Sequence, residues 1–249
     1  MSTTNIWARM MQWGRAELTL LIILLIVVSG VWGFIELADE VIEGETQMID
    51  ERILLALRNP QDPTDPLGPP WVEEMGRDLT ALGGLAILTL LTGGVAGYLV
   101  LSHKYALATL VVVAVMGGSL LSLLLKAEFE RPRPDLVPHG MYVYNASFPS
   151  GHSMGAAATY LTLGALLARV QSRRRLKIYF MLVAMLLTFL VGLSRIYLGV
   201  HWPTDVLAGW TAGALWALIC WLVTWWLQAR GQVEDMAEVA EPVVARASK

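Results

Sequence analysis

Three short polar clusters hold most of the residues able to do chemistry: 126–134 (KAEFERPRP), 149–152 (PSGH) and 194–205 (SRIYLGVHWPTD). Lys126, Arg133 and Arg195 supply fixed positive charge, and guanidinium forks match phosphate oxygens two at a time. Ser150 reads as a helix N-cap with Gly151 behind it, which leaves backbone N–H groups and the positive end of a helix turned toward an anion. Such donors suit the negative charge that spreads over a phosphoryl group in transfer. His201 is followed four residues later by Asp205, with Pro203 between them at a first helical turn. A carboxylate there can hold His201 with its proton on Nδ1, leaving a neutral Nε2 as a nucleophile toward phosphorus. His152 is then available to protonate the leaving oxygen and afterwards to activate water. The scheme requires no metal and no cofactor.

For these clusters to act together, the elements between them must bring their ends to one place. The chain has 249 residues, 55% of them hydrophobic and 16% charged, and a mean hydropathy of +0.55, too apolar for an ordinary soluble domain. A bilayer core about 30 Å thick needs roughly 20 apolar residues in a helix. Six stretches approach this: 18–36, 79–101, 105–125, 152–169, 176–194 and 204–227. The expected fold is therefore an all-α integral membrane bundle of six transmembrane helices. Alternation of six spans puts all three clusters at one face. Arg9 and Arg15, then His103 and Lys104, then Arg169, Arg173, Arg174, Arg175 and Lys177 fall at the other face, which the excess of Lys and Arg marks as cytoplasmic. Both termini are expected there, in a multi-pass cell membrane protein of the bacterial inner membrane type, with the polar clusters extracytoplasmic.

The first stretch follows basic residues, as a secretory leader would, but its long apolar run and the lack of a small-residue cleavage site make it a retained span. In the external segment 37–78, Met48, Ile49, Ile53, Leu54 and Leu57 recur at helical spacing, which predicts a short amphipathic helix on the membrane surface. Pro60, Pro63, Pro66, Pro69 and Pro70 then predict an irregular connection. Trp202, Trp225 and Trp226 read as interfacial belt residues. Residues 1–230 form one expected domain, and 231–249, polar and acidic, a disordered cytoplasmic tail.

At this point the residues resemble a known family. Lys126-x6-Arg133-Pro134, Pro149-Ser150-Gly151-His152 and Ser194-Arg195-x5-His201-x3-Asp205 are similar to the three blocks of the type 2 phosphatidic acid phosphatase (PAP2) superfamily, complete and in order. The resemblance spans about 126–205, and the six-helix layout resembles the family's membrane lipid phosphatase branch. It implies His201 as nucleophile, His152 as acid and base, and Asp205 as the partner of His201. It also assigns Lys126, Arg133, Ser150, Gly151 and Arg195 to phosphate binding. The implied activity is metal-independent hydrolysis of lipid phosphates such as phosphatidate, phosphatidylglycerophosphate and undecaprenyl diphosphate. Vanadate-binding relatives of the family are soluble, which six spans argue against.

Each motif residue has a plainer reading. Lys126 alone would more often be an end-of-helix lysine whose stem lies along apolar surface, and Arg131 keeps that reading. His152, His201 and Asp205 could form a zinc set, but the surrounding cations oppose it. Cys220, the single cysteine, sits in an apolar run and reads as packing. His139 is left without a catalytic role, and Asn145-Ala146-Ser147 is a formal glycosylation sequon. Tyr142, Tyr144 and Phe148, with the segment near Ile53, are expected to shape a lateral entrance or anchor at the interface. A net charge of −3 gives no reason to expect a nucleic acid partner. The expected partners are the lipid phosphate substrate and membrane lipids, and oligomeric state is not legible. The competing class is a lipid transporter or flippase of the same topology. Transporters need ionisable residues near the midplane, and these spans offer only weakly polar ones such as Ser119, Ser122, Thr159, Thr162 and Thr188.

Overall fold

In the computed structural model, residues 3–138 and 146–231 are described, with side chains from residue 18. The elements in chain order are α1 (Thr3–Glu43), α2 (Gln47–Ala56), β1 (Arg58–Asn59), β2 (Asp62–Pro66), α3 (Pro70–Ala81), α4 (Leu85–Leu101), α5 (Tyr105–Glu128), α6 (Gly151–Val170), α7 (Arg174–Tyr197) and α8 (Pro203–Ala229). The expected tail 231–249 falls almost wholly outside the described residues, as do His139, Tyr142, Tyr144 and Asn145.

The chain is a multi-pass membrane protein. Among the described residues, four helices are long and apolar enough to cross a bilayer: Leu18–Glu43 of α1, then α5, α7 and Pro203–Gln228 of α8. The bent pair α3 and α4, with axes 48° apart, makes a fifth if it is one span. The remaining expected span, 152–169, is α6, which does not meet the same test. The physical reason is its position. It packs against α4, α5, α7 and α8, and Ser153, Gly155, Ala156, Ala157, Ala158, Thr159 and Thr162 along it are buried. A helix enclosed by helices needs small residues for close approach, not a lipid-facing apolar surface.

Two glycines show how close that approach is. A Cβ on Gly209 would lie 2.6 Å from the Ser150 carbonyl oxygen, and one on Gly213 would lie 2.4 Å from that of Met154. The i, i+4 spacing puts both on the α6-facing side of α8. The α6 and α8 N-termini are thereby drawn together, and the Ser150 N–H donates to the Asp205 carbonyl at 2.9 Å. The outward sides of α1, α4, α5 and α7 carry exposed Leu, Ile, Val and Met residues, as lipid contact requires.

The segment between the first two spans is more ordered than the proline spacing predicts. Arg58–Asn59 pairs antiparallel with Asp62–Pro66, and Pro70 opens α3, where a missing N–H costs nothing because first-turn donors have no helical partner. The second expected span thus starts nine residues early and breaks at Leu82–Gly84. Helix α2 covers most of the segment read as amphipathic, with Met48, Ile49 and Ile53 exposed and Leu54 fully buried against Trp202 and Val206. Phe148 is not an entrance residue. It has no exposed surface and packs with Phe34 and Phe129, ring centroids 6.0 and 5.1 Å away. Trp202 is likewise a core residue, not a belt residue, and its indole N–H donates to the Pro132 carbonyl at 3.1 Å.

Candidate active site

Each motif residue sits where a helix meets its connection, so helix geometry sets where each side chain is held. Ser150 is the N-cap of α6. Its Oγ accepts from the Ser153 N–H at 3.5 Å and from the Ser153 hydroxyl at 2.9 Å. Gly151 starts the helix beside Ser122 and Lys126 of α5, where an added Cβ would stand 3.2 Å from the Ser122 hydroxyl. Asp205 is the third residue of α8, and its Oδ2 accepts the Trp202 N–H at 2.9 Å, closing the first turn. His201 lies in the short turn between α7 and α8. That turn passes through Gly199 at φ +70°, in the left-handed region that favours glycine. Arg58 of β1 clasps it from outside, Nη2 donating to the Tyr197 carbonyl at 2.9 Å.

The three clusters converge at one end of the bundle. His152 is close enough to feel the charges of Arg195, His201, Arg133 and Lys126. His201 is 1% exposed, Arg195 2%, and Ser150 and Asp205 not at all. The His201 Nδ1 lies 3.3 Å from the Asp205 Oδ2, and its Nε2 lies 3.1 Å from the Arg133 Nη1. A guanidinium can only donate, so Nε2 accepts and the ring proton is on Nδ1, aimed at the carboxylate. Burial pushes the His201 pKa down to about 3, helped by the Arg195 and Arg133 charges and opposed by the hydrogen bond and charge of Asp205. The ring is neutral at pH 7. Burial also lowers the Arg133 pKa, against the pull of Asp205.

The cations rest on nearby oxygens. Lys126 Nζ donates to the Ala146 carbonyl at 2.5 Å, Arg133 Nη1 to the Val200 carbonyl at 2.6 Å, and Arg195 Nη1 to the Thr80 hydroxyl of α3 at 2.9 Å. Among the described residues, no group of three or more His, Cys, Asp or Glu side chains could hold a metal. His152, His201 and Asp205 therefore do not form a three-ligand cluster.

Four side chains in this network were not singled out by their sequence. Arg131, read as an end-of-helix cation, is 10% exposed and bridges two carboxylates, Asp205 Oδ1 at 2.6 Å and Asp50 Oδ2 at 2.7 Å. Burial of a guanidinium demands such pairing, which a one-dimensional reading of RPRP does not reveal. Ser147 donates its hydroxyl to the Asp205 Oδ2, and its place three residues before Ser150 was the only available signal. Asp50 and Thr80 come from α2 and α3, outside every motif, and nothing local marks them.

A membrane helix bundle with a buried, cation-rich end and a neutral histidine paired to a carboxylate defines the class of a polytopic phosphate-ester enzyme. The sequence profile of the PAP2 superfamily matches residues 106–229. Phosphatidylglycerophosphatase B of Bacillus subtilis is 35% identical over 149 residues, covering 59% of this chain and 72% of its own. Lipid A 1-phosphatase of Rhizobium etli is 30% identical over 178 residues, covering 62% and 72%. The crystal structure of a transmembrane PAP2-type phosphatidylglycerolphosphate phosphatase from Bacillus subtilis superposes with a TM-score of 0.71 at 31% identity, over 79% of this chain and 94% of that one. The chain belongs to the PAP2 superfamily and is an enzyme of its lipid phosphatase class.

Proposed function

We propose that the enzyme hydrolyses lipid phosphate esters through a phosphohistidine at His201. The observation that carries this is the pairing of His201, Nδ1 toward Asp205 and Nε2 toward the Arg133 guanidinium. An arriving phosphate takes the place of His201 as the acceptor for Arg133, which frees Nε2 to attack phosphorus as the ester oxygen leaves. His152 protonates that oxygen, then takes a proton from the water that cleaves the phosphorus–nitrogen bond, releasing inorganic phosphate. Asp205 stabilises the imidazolium-like ring of the intermediate. Lys126, Arg133, Arg195, the Ser150 hydroxyl and the Gly151 N–H hold the phosphoryl oxygens. Lys126, Arg131, Arg133 and Arg195 outnumber Asp50 and Asp205 by two charges, which suits a phosphate dianion. None of these steps calls for a metal.

Six spans are retained, counting α6 and the α3–α4 pair, with both termini cytoplasmic and the site at the extracytoplasmic interface. The asymmetry of Lys and Arg supports that orientation. An acyl or prenyl tail then stays in the bilayer while its phosphate enters from the side. Phosphatidylglycerophosphate, phosphatidate and undecaprenyl diphosphate are the proposed substrates, the first supported by the name of the Bacillus subtilis relative.

The test is phosphate release by the purified protein, with EDTA present, from a panel of these three lipids. His201→Ala is expected to lower turnover on every accepted lipid by at least about a thousandfold, the scale seen when one member of a nucleophile and base pair is removed. Undiminished release by that variant would sink the phosphohistidine reading. Release from none of the lipids would reopen the transporter reading.

A further inference from the structure

We infer that Asp50, on α2 and outside all three motifs, is a positioning residue for the reaction, fixing the Asp205 carboxylate and with it the His201 ring through Arg131. The inference rests on the histidine mechanism proposed above.

Asp50 has no exposed surface, and both its oxygens are used. Oδ1 accepts the Thr204 N–H at 2.9 Å, and Oδ2 accepts the Thr204 hydroxyl at 2.6 Å and Arg131 Nη2 at 2.7 Å. Thr204 is the second residue of α8, so a carboxylate from a different helix satisfies a first-turn donor immediately before Asp205. Arg131 completes the bridge, Nη1 donating to the Asp205 Oδ1 at 2.6 Å and to the Thr204 hydroxyl at 2.8 Å. Its guanidinium carbon stands 5.5 Å from the centre of the Trp202 ring. The chain of contacts runs Asp50, Arg131, Asp205, His201.

The two Asp205 oxygens divide the work. Oδ1 faces Arg131, while Oδ2 receives the Ser147 hydroxyl, the Trp202 N–H and His201 Nδ1. That division holds only while the second arm of the guanidinium is engaged elsewhere. Without the Asp50 charge, Arg131 is drawn to place both arms on Asp205, as an arginine fork does on any lone carboxylate. It then competes with His201 for Oδ2, and the Nδ1–H hydrogen bond that orients the ring weakens. A purely structural role for Asp50, pinning α2 to α8, would leave the ring unaffected.

Asp50→Asn separates the two roles, because the amide oxygen still accepts from Thr204 N–H while the charge facing Arg131 is gone. With the full-length enzyme in detergent and dioctanoyl phosphatidate as substrate, kcat is expected to fall roughly ten- to a hundredfold, the usual cost of losing a group that orients a reacting side chain. KM should stay within about twofold, while the melting temperature falls because a buried guanidinium loses a partner, so the ring spectrum and not stability carries the test. Asp50→Glu should recover part of the loss. Because Asp50 acts through Arg131, adding Asp50→Asn to Arg131→Gln should cost nothing further, whereas independent roles would multiply. The ¹⁵N imidazole spectrum, with His201 assigned by comparison with His201→Ala, should show at neutral pH an Nδ1–H that exchanges faster with water and is shifted toward a weaker hydrogen bond in Asp50→Asn than in the wild type. An unchanged Nδ1–H signal in Asp50→Asn, or multiplying losses in the double variant, would overturn the inference. The spectrum needs no substrate. It therefore decides the role of Asp50 even if His201→Ala keeps full activity and the phosphohistidine reading fails.

Discussion

The two ends of the bundle are built on opposite principles. At the site end, polar side chains from α2, α5, α7, α8 and the connections are tied to one another, and the Asp205 carboxylate alone receives four donors. At the other end, α5, α6 and α8, with α1 and α7, line a half-open apolar pocket of about 430 Å³ that includes Leu107, Leu161, Ala165, Leu166, Ala217 and Leu218. A second, of about 450 Å³, lies between α4, α5 and α6. The Thr162 hydroxyl, which lines the first pocket, is buried with no hydrogen-bond partner among the described residues. Hydrogen bonds are directional and fix orientation, whereas aliphatic contacts tolerate shape change. The enzyme therefore keeps its positional accuracy at the end where charge must be aimed at a phosphoryl group, and leaves loose packing where only cohesion is needed.

The largest effect that sharpens this contrast is expected at Arg195. Arg195→Lys keeps the charge but loses the guanidinium fork, which holds the Thr80 hydroxyl and is proposed to meet the phosphate. Turnover should fall about a hundredfold, the scale of removing one preorganised donor. Steady-state kinetics on the best lipid of the panel would show it, and a loss under about fivefold would mean that charge alone suffices.

Next come two small-to-large substitutions of opposite sign. Gly213→Ala puts a methyl group 2.4 Å from the Met154 carbonyl, so α6 and α8 must separate. Overpacking of this kind costs about 1–3 kcal/mol, and both the melting temperature and activity should drop. Ala165→Leu instead fills part of the 430 Å³ cavity. It should keep turnover within about twofold and raise the melting temperature, since cavity filling commonly gains about 0.5–2 kcal/mol. Equal loss of activity in both variants would break the contrast between the two ends.

The smallest effect is a pH dependence of stability. The folded pKa of His201, about 3, lies below its ordinary value of 6.5. Between these values the unfolded chain takes up a proton that the folded chain refuses, so this group lowers stability as pH falls from about 6.5 toward 3. Melting temperatures of the wild type should fall more steeply over that window than those of His201→Gln. Parallel curves would mean that the ring charges in place at little cost.

How much of this was legible beforehand follows from which interactions are local. The Ser150 cap and the start of α8 at Pro203 depend on residues a few positions apart, and the sequence predicts both. The partners of Asp205 do not. Arg131 lies 74 residues away and Asp50, on α2, reaches Arg131 across 81, so no spacing rule connects them. Phe148 and Trp202 were misread because an aromatic near a span end looks the same in sequence whether it faces the interface or the core. Helix α6 was legible from its length and apolar content, which are read along the chain, whereas its enclosure by four helices is a property of the assembled bundle.

By itself, then, the sequence determined the order of the apolar helices, the three reactive clusters and the common end at which they emerge, since periodicity, capping and the alternation of spans act along the chain. Only the tertiary structure decided the His201 tautomer, the pairing of Arg131 and the part played by α2. Those depend on distances of about 3 Å between residues far apart in sequence, and close packing of α6 against α8 is what sets such distances.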